Sequence, residues 1–310
     1  MSGERPDPST DYELAVRPPY RLDLTVTVLR RLPTNPVDLL TADGHYLRAL
    51  EGRHGLSVVR VRQAAPDLLM VTIDGPPGDH AAILERVRRM LGVDQDLDQF
   101  ERAAAGLDWL GPVVARMRGV KPPRYPSLWE AFINVIAFQQ LSLQSASAIV
   151  GRLVRASSAA LDIDGLHLHP FPSPDWFLAS DDGLLRATGL SGGKIATLRR
   201  AATALAGGSL EPSELERLPS PAAAARLQEI KGIGPWTATV ILLRGLGRLD
   251  VFPMADSSVA LNLANVGGPG PIDLERALDT LRPQQGMLYY HLLLTRLEAR
   301  GALGRASLPG

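Results

Sequence analysis

The spacing of apolar residues changes its period once along this chain, and that change constrains the fold more than any other feature of the sequence. Between residues 20 and 74, apolar and polar side chains alternate in four stretches, YRLDLTVTVL, HYLRAL, LSVVRVRQ and LLMVTID. Alternation of this kind is typical of half-buried strands. Turn-like segments at 41–44, 51–55 and 74–77 separate the stretches, so the sequence predicts an antiparallel sheet.

Helical spacing follows the strands. Residues 79–91 place four apolar side chains on one face and predict a helix packed on the sheet, with Ile83, Leu84, Val87 and Leu91 facing inwards. From about residue 95 to about residue 300 the apolar period is 3.6. We therefore expect an α+β antiparallel sheet domain at 18–95 and an all-α domain at 96–303, with flexible ends at 1–17 and 304–310.

Several helix boundaries are marked by local signals. Ser127 and Glu130 have the spacing of a capping box, and the apolar stripe behind them is predicted to include Trp129, Phe132, Ile133, Ile136 and Leu141. Further helices are expected to begin at Ser220 and at Gly234, each of which precedes a proline. The last helix is expected from about Gly286 to Glu298. The Gly/Pro stretch at 267–271 is interpreted as a loop.

Composition excludes several classes of function. The chain of 310 residues has no cysteine, which excludes disulfide scaffolds, thiolate zinc sites, iron-sulfur clusters and cysteine nucleophiles. No apolar run reaches the roughly 20 residues that a membrane span needs, and the start of the chain lacks the features of a signal peptide. We therefore expect a cytoplasmic protein that does not associate with membranes.

The charge is zero overall but unevenly distributed. Residues 1–110 contain 13 basic and 17 acidic side chains, whereas residues 111–310 contain 20 basic and 16 acidic ones. The second part is thus mildly basic, which is compatible with a nucleic-acid partner. An asymmetry of this size also arises by chance on a solvated surface. Charge alone therefore leaves the partner open.

Two motifs are considered and rejected. Residues 188–195 resemble a phosphate-binding loop, but Thr188 and Ile195 occupy positions where that loop needs glycine and a hydroxyl residue. No nucleotide cofactor is expected. His167 and His169 share one side of an extended segment, but no third metal ligand is spaced suitably, so both are interpreted as surface or loop histidines.

The strongest local signal is the segment 227–243, LQEIKGIGPWTATVILL. A helix ends there, a Gly-Ile-Gly turn follows, and Pro235 opens a second helix. Gly232 and Gly234 allow the backbone to come close to a ligand, and the free amides at the start of the second helix form an anion site that suits a DNA phosphate. A plain αα-hairpin also favours glycine in its turn, with Ile233 anchoring that turn in the core.

A loop rich in Gly and Pro follows at 247–256 and ends in Asp256, just before another predicted helix. Hairpin, loop and aspartate together resemble the helix-hairpin-helix DNA glycosylase superfamily. Residues 136–142 and 189–194 are similar to that family's glutamine-containing helix end and Gly-Lys turn. Pro18-Pro19-Tyr20, residues 43–48 and residues 91–94 resemble the N-terminal sheet domain of bacterial type II 3-methyladenine DNA glycosylases.

This resemblance implies a monofunctional enzyme that extrudes and excises alkylated bases from duplex DNA, leaving an abasic site. It implies that Asp256 is the catalytic carboxylate, which stabilises an oxocarbenium-like state and orients water. Asp256 is also well placed as an N-cap, and the two roles are compatible. No metal or redox cofactor is implied for catalysis.

The resemblance also implies DNA contacts and a side chain that fills the gap left by the extruded base. The predicted DNA contacts are Gly232, Ile233, Gly234, Thr237 and Lys194, with a monovalent cation at the hairpin carbonyls of Ile230 and Ile233. Gln140 and Leu141 are the candidates for the gap-filling wedge, and residues 140–141 are called the wedge segment below. The alternative is that Leu141 belongs to the helix core.

The base pocket implied by the resemblance includes Trp236, Val240, Gln284 and Tyr289. Trp236 would stack on the damaged base, although a buried core tryptophan is the alternative. Val240 and Gln284 stand where the family has aromatic residues, which leaves the preferred base open. Tyr289 and Tyr290 are candidates to compensate, and at least one of them is expected in the core.

Trp236 also occupies the position at which bifunctional members carry a lysine, so no lyase activity is expected. The expected partner is damaged duplex DNA, bound by a monomer. Two alternatives remain, namely a non-catalytic helix-hairpin-helix DNA-binding protein and a glycosylase of the same fold that acts on deaminated or oxidised bases.

Overall fold

The N-terminal part of the chain is an antiparallel sheet covered by two helices. In this computed structural model, residues 9–266 and 272–303 are described. Five strands lie in the order β1-β5-β4-β3-β2. The elements of this part are β1 (Thr10–Ala15), α1 (Leu22–Arg30), β2 (Leu39–Leu40), β3 (Tyr46–Glu51), β4 (Leu56–Ala65), β5 (Leu68–Asp74) and α2 (His80–Met90).

The first predicted strand is wrong, because residues 22–30 form helix α1. Its alternating apolar residues lie on two opposite faces of one helix, and each face packs into a different core. Leu22, Val26 and Leu29 pack into the core beneath the sheet. Leu24 and Val28 pack into the core of the helical domain. A helix buried on both sides thus mimics the period of a strand.

The predicted flexible segment 1–17 also needs correction. Thr10–Ala15 form the edge strand β1, which pairs antiparallel with β5. The pairing satisfies backbone groups along one edge of β5, and the buried Leu14 contributes to the sheet core. The sheet domain therefore begins before residue 18.

The second part of the chain is mostly helical, as the period of 3.6 predicts. Its elements are α3 (Asp98–Ala105), α4 (Gly111–Arg116), α5 (Leu128–Phe138), α6 (Leu143–Ser157), β6 (Leu161–Ile163), β7 (Leu166–Leu168), α7 (Pro174–Ala179), α8 (Asp182–Ala187), α9 (Gly192–Ala206), α10 (Pro212–Arg217), α11 (Ser220–Gln228), α12 (Pro235–Gly245), α13 (Ser257–Val266), α14 (Leu274–Thr280) and α15 (Gly286–Glu298). The predicted starts of α11, α12 and α15 are confirmed.

Two local predictions in this part are corrected. Strands β6 and β7 form a small hairpin inside the otherwise helical region, with His167 exposed on β7 and His169 just beyond it, where its Nδ1 lies 3.2 Å from the Ser158 carbonyl oxygen. Leu141 lies outside the apolar stripe of α5, because that helix ends at Phe138 and the Leu141 side chain is 41% exposed. The predicted loop at 267–271 lies outside the described residues.

A buried ionic cluster joins the two domains. Arg48 on β3 pairs with Asp38 of the sheet domain and with Glu130 on α5. Ser127 Oγ caps α5 by accepting from the Glu130 amide at 3.1 Å, whereas the Glu130 carboxylate turns towards Arg48 instead of completing a capping box. The cluster therefore fixes the sheet domain against the helix that leads to the wedge segment.

Across the described residues, none of the helices is long and apolar enough to cross a membrane.

Candidate active site

A cleft with a volume of about 1030 Å³ lies in the helical domain. Its walls come from the ends of α1 and α5, the start of α9, the hairpin between α11 and α12, the segment 255–262, and α15. The predicted site residues that line it are Gln140, Leu141, Lys194, Gly232, Gly234, Trp236, Thr237, Val240, Asp256 and Tyr289. The fold therefore brings most of the predicted site together.

The hairpin is closed by its own backbone. The Ile233 amide donates to the Ile230 carbonyl at 3.0 Å, and Ile233 is 4% exposed, so its side chain anchors the turn in the core. Only the backbone of Ile233 is therefore available to a ligand. The carbonyls of Ile230 and Ile233 remain the predicted cation ligands.

The two glycines of the hairpin differ in what they require. Gly232 has φ +106°, and a Cβ there would lie 2.0 Å from Thr197 Oγ1, so the close packing of α9 demands glycine. Gly234 has φ −92°, and a Cβ at that position would have no other atom within 4 Å. Packing among the described residues therefore gives no reason for glycine at 234, and the space in front of α12 is open towards the cleft.

The wedge segment projects from the end of α5 into the cleft. Gln139 is the C-cap of that helix, and its Nε2 donates to Thr237 Oγ1 at 2.8 Å. Gln140 then adopts φ +57° and is exposed, as is Leu141. The backbone turn thus presents both predicted wedge side chains to the outside of the core.

Lys194 lines the cleft, but its ammonium group is already engaged. Its Nζ donates to the carbonyls of Ala137 and Gln139, both at 2.9 Å, and so caps the C-terminal end of α5. Burial lowers the pKa of Lys194. These two hydrogen bonds hold the end of α5 and thereby position the wedge segment. The contact of Lys194 with DNA stays a prediction.

Asp256 stands immediately before α13 and lines the cleft. Its Oδ1 accepts from the Ser258 amide at 2.8 Å, and its own amide donates to the Pro253 carbonyl at 3.0 Å. Among the described residues, no donor contacts Oδ2. The carboxylate is therefore held by one oxygen in the manner of an N-cap, while the other oxygen remains available to a ligand or to water.

The predicted base pocket is present in part. Trp236 and Tyr289 are half-buried in the cleft wall, and Val240 is buried beside them. Burial raises the pKa of Tyr289. Tyr290 is a core residue whose hydroxyl donates to the Leu243 carbonyl at 3.1 Å, so the two adjacent tyrosines divide between cleft and core as expected.

The structure corrects the prediction for Gln284, which lies outside the cleft. Its Oε1 accepts from the Phe100 amide at 3.1 Å and its Nε2 donates to the Asp96 carbonyl at 2.5 Å. Gln284 thus ties the start of α3 to the loop before α15. Both ends of this amide are therefore paired within the helical domain, so the side chain contributes to packing and is not free to contact a base.

Several cleft residues, including Arg296 on α15, are missed by reasoning from the sequence, and three others come from different elements. Phe138 ends α5, Asn262 lies on α13, and Arg31 follows α1 in the sheet domain. Phe138 belongs to the predicted helix, and its position at the end of that helix, close to the predicted wedge segment, indicates a place at the cleft. Arg31 carries no such signal, because the alternation at 20–30 predicts a strand and not a helix that ends at the cleft.

Comparisons with known proteins agree with this architecture. The AlkA N-terminal domain family matches residues 11–128. A probable bifunctional transcriptional activator/DNA repair enzyme AlkA of Mycobacterium tuberculosis is 30% identical over 231 residues, which are 73% of this chain and 45% of that protein. The chain therefore spans about half the length of that relative. The DNA-3-methyladenine glycosylase 2 of Escherichia coli is 26% identical over 289 residues, covering 92% of this chain and 97% of that protein.

Solved structures show the same fold. A 3-methyladenine DNA-glycosylase from Archaeoglobus fulgidus superposes with a TM-score of 0.76 at 22% identity, covering 93% of this chain and 99% of that one. Other glycosylases with this fold have been solved in complex with DNA. The chain therefore contains an AlkA N-terminal domain, and over most of its length it is similar to DNA-3-methyladenine glycosylases.

Proposed function

We propose that this protein is a monofunctional DNA glycosylase that hydrolyses the C1′–N bond of alkylated bases in duplex DNA and leaves an abasic site. The observation that carries the proposal is the position of Asp256. One oxygen of its carboxylate is fixed by the Ser258 amide, and the side chain faces a cleft that is large enough for a nucleotide and shared with Trp236.

The cleft supports the extrusion of a base from the duplex. A glycosylase must remove its target nucleotide from the stack, which costs a few kcal/mol and least for damaged bases. Leu141 is an exposed apolar side chain beside the cleft, and it can fill the space that the base leaves. Gly234 and the first turn of α12 offer backbone amides that can hold a phosphate next to it.

Asp256 would act on the sugar. A purine alkylated at a ring nitrogen carries a positive charge, so the base departs without strong acid help and positive charge develops at C1′. A carboxylate fixed beside that carbon stabilises the charge electrostatically and orients the attacking water. The side chain of Trp236 offers the base a stacking surface in the same cleft.

The lysines of the chain support the absence of a lyase step. The chain has three lysines, Lys121, Lys194 and Lys231. Lys121 is buried and donates to the Gln95 carbonyl, Lys194 is held by two carbonyls, and Lys231 lies outside the cleft lining. A Schiff base needs a free amine that can reach C1′. None of the three provides one.

Release of free bases from dimethyl sulfate-treated duplex DNA tests the proposal. We expect 3-methyladenine and 7-methylguanine in the supernatant by chromatography, and strand breaks only after heat or alkali. Binding to duplex DNA without release of any base would instead indicate a non-catalytic DNA-binding protein. Release of deaminated or oxidised bases only would indicate a different lesion, and a borohydride-trapped adduct with abasic DNA would contradict the monofunctional assignment.

A further inference from the structure

The last turn of α15 contributes an arginine to the cleft. Tyr289, Leu292, Leu293 and Arg296 all line the cleft, and their spacing of three, four and seven residues places them on one face of that helix. The first three of these side chains also pack into the core of the helical domain. Arg296 therefore brings a charged side chain to the cleft at the end of a largely apolar face.

Arg296 has accessible surface and is unpaired among the described residues. The residue is half-buried. No carboxylate oxygen of the described residues lies within 4.0 Å of its guanidinium, and its side chain forms no hydrogen bond with them. An arginine in the last turn of a helix also interacts favourably with the helix dipole, which is a structural role that needs no DNA.

The other two cations that line the cleft are already engaged. Lys194 Nζ donates to two backbone carbonyls at the end of α5, both at 2.9 Å. Arg31 is only 6% exposed, and its guanidinium carbon lies 3.9 Å from the centroid of the Phe138 ring. Among the described residues of the cleft lining, Arg296 is thus the one cation that combines accessible surface with free donors.

Asp256 is close enough to Arg296 for its charge to act on the guanidinium. Burial and Arg300 lower the pKa of Arg296, whereas Asp256 and Tyr289 raise it. The two side chains do not form an ion pair, because their charged atoms are more than 4.0 Å apart. Since a guanidinium keeps its proton in proteins, the cleft holds a cation and a carboxylate that are near each other but not in contact.

The hairpin and Arg296 lie on different walls of the cleft. Ile233 and Val240 belong to one core of the helical domain, whereas Leu292 and Leu293 of α15 belong to the other. A nucleotide in the cleft is attached to its strand by one phosphate on each side of the sugar. A carboxylate beside C1′ repels both phosphates, because all three groups are negative. The hairpin amides can hold only one of the two phosphates.

We propose that Arg296 binds the phosphate on the other side of the extruded nucleotide and thereby offsets the repulsion between the DNA backbone and Asp256. The proposal rests on the proposed glycosylase function and adds a DNA-binding residue to it. Arginine suits this role because its planar group donates two parallel hydrogen bonds to phosphate oxygens. The bound phosphate neutralises Arg296, so a cationic base such as 7-methylguanine is not repelled from the cleft.

Uncharged methylphosphonate links test this contact one phosphate at a time. Three duplexes carry the same tetrahydrofuran abasic-site analogue, with ordinary phosphates, with a methylphosphonate on its 5′ side, or with one on its 3′ side. For the parent protein we expect each methylphosphonate to weaken binding about tenfold, which corresponds to one hydrogen bond to a charged group. In Arg296→Gln, one of the two methylphosphonates should have no further effect, while the other should still weaken binding as in the parent.

Salt dependence and kinetics provide independent measurements. Arg296→Gln should bind the unmodified duplex about tenfold more weakly, and the slope of log K against log salt concentration should become shallower by about 1. Half-saturation of 7-methylguanine release should need correspondingly more enzyme, whereas the single-turnover rate at saturation should stay at the parental value. Arg296→Lys keeps the charge and should restore most of the binding. Thermal unfolding of both variants should match the parent, because the side chain is half-buried and unpaired among the described residues.

Arg300→Gln is the matched control. Arg300 lies one turn beyond Arg296, is exposed, and does not line the cleft. Its substitution removes the same charge from the same helix end. Both methylphosphonates should therefore weaken binding of Arg300→Gln as they weaken binding of the parent.

Three results would overturn the assignment of Arg296. If both methylphosphonates weakened binding of Arg296→Gln as much as binding of the parent, Arg296 would contact neither phosphate. If Arg300→Gln lost the effect of the same methylphosphonate, the net charge of the helix end would attract DNA without a specific contact. If the saturating rate fell while binding persisted, Arg296 would act on the catalytic step.

The proposed function is tested separately by the parent protein. Release of methylated bases by the parent would leave the glycosylase function intact under each of these three results. A parent protein that binds the duplexes but releases no base would refute the proposed function, whatever the effect of the methylphosphonates.

Discussion

The side-chain amide of Gln139 donates to Thr237 Oγ1 at 2.8 Å, which joins the end of α5 to the first turn of the hairpin's second helix. The wedge segment follows Gln139 directly, and Gly234 lies three residues before Thr237. This hydrogen bond therefore sets the position of the proposed wedge relative to the proposed phosphate site.

We expect that removing this bond slows base release without unfolding the protein. Thr237→Val keeps the shape of the side chain and removes the acceptor, and Gln139→Ala removes the donor. A buried hydrogen bond is worth about 1 kcal/mol, so each variant should slow single-turnover release about fivefold. The double variant should be no slower than either single one, since both remove the same interaction. Strictly additive effects would mean that the two side chains act separately.

Alanine substitution at the two hairpin glycines should affect different properties. Gly232→Ala must move Thr197 or the backbone, at a positive φ that alanine disfavours, so the free energy of unfolding should fall by about 1–3 kcal/mol. Gly234→Ala meets open space and an ordinary φ, so its free energy of unfolding should change by less than about 1 kcal/mol.

DNA binding completes this comparison. Gly234→Ala, or a bulkier residue at 234, should weaken binding to every duplex sequence alike, because the proposed contact is to a phosphate. Fluorescence anisotropy with undamaged and abasic duplexes measures this. A loss confined to one lesion, with normal binding to abasic DNA, would mean that the hairpin contacts the base.

Glu130 should make the stability of the protein depend on pH. Burial and the neighbouring Asp38 outweigh the attraction of Arg48 and raise the pKa of Glu130 from 4.5 to about 7. Between these values the folded protein binds more protons than the unfolded chain, so its stability should fall as the pH rises from about 4.5 to about 7. The slope has an upper limit of about 1.4 kcal/mol per pH unit for one group.

Comparison with Glu130→Gln isolates this contribution from other titrating groups. His291, whose pKa burial lowers to about 4, gives the opposite slope over part of the same range and is present in both proteins. Chemical denaturation at several pH values should therefore show the parent losing stability relative to Glu130→Gln as the pH rises. A constant difference between pH 4.5 and 7 would show that Glu130 keeps its ordinary pKa.

What can be predicted from the sequence depends on whether the signal is local. The starts of α11 and α12 follow from glycines and prolines within a few residues of each boundary, and the structure places them as expected. The strand prediction for the residues of α1 is wrong because an apolar residue at every second position fits a strand with one buried face and also a helix with two buried faces. Only the position of α1 between two cores distinguishes them.

The same limit applies to the candidate site. Trp236 and Asp256 lie next to the local hairpin and loop signals, and both line the cleft. The resemblance places Gln284 in the pocket by its position along the chain, but its amide joins α3 to the loop before α15. Arg31 reaches the cleft through a domain arrangement that no nearby residues reveal.

The most direct measurement is the single-turnover rate of Asp256→Asn on duplex DNA with one 7-methylguanine. Asparagine keeps a good N-cap and can still accept from the Ser258 amide, so the free energy of unfolding should change by only a few tenths of a kcal/mol, and binding to abasic DNA should persist. Loss of the charge beside the developing oxocarbenium ion should slow base release by about 100-fold or more. Release at nearly the parental rate would show that Asp256 only caps α13, and the proposed mechanism would lose its catalytic residue.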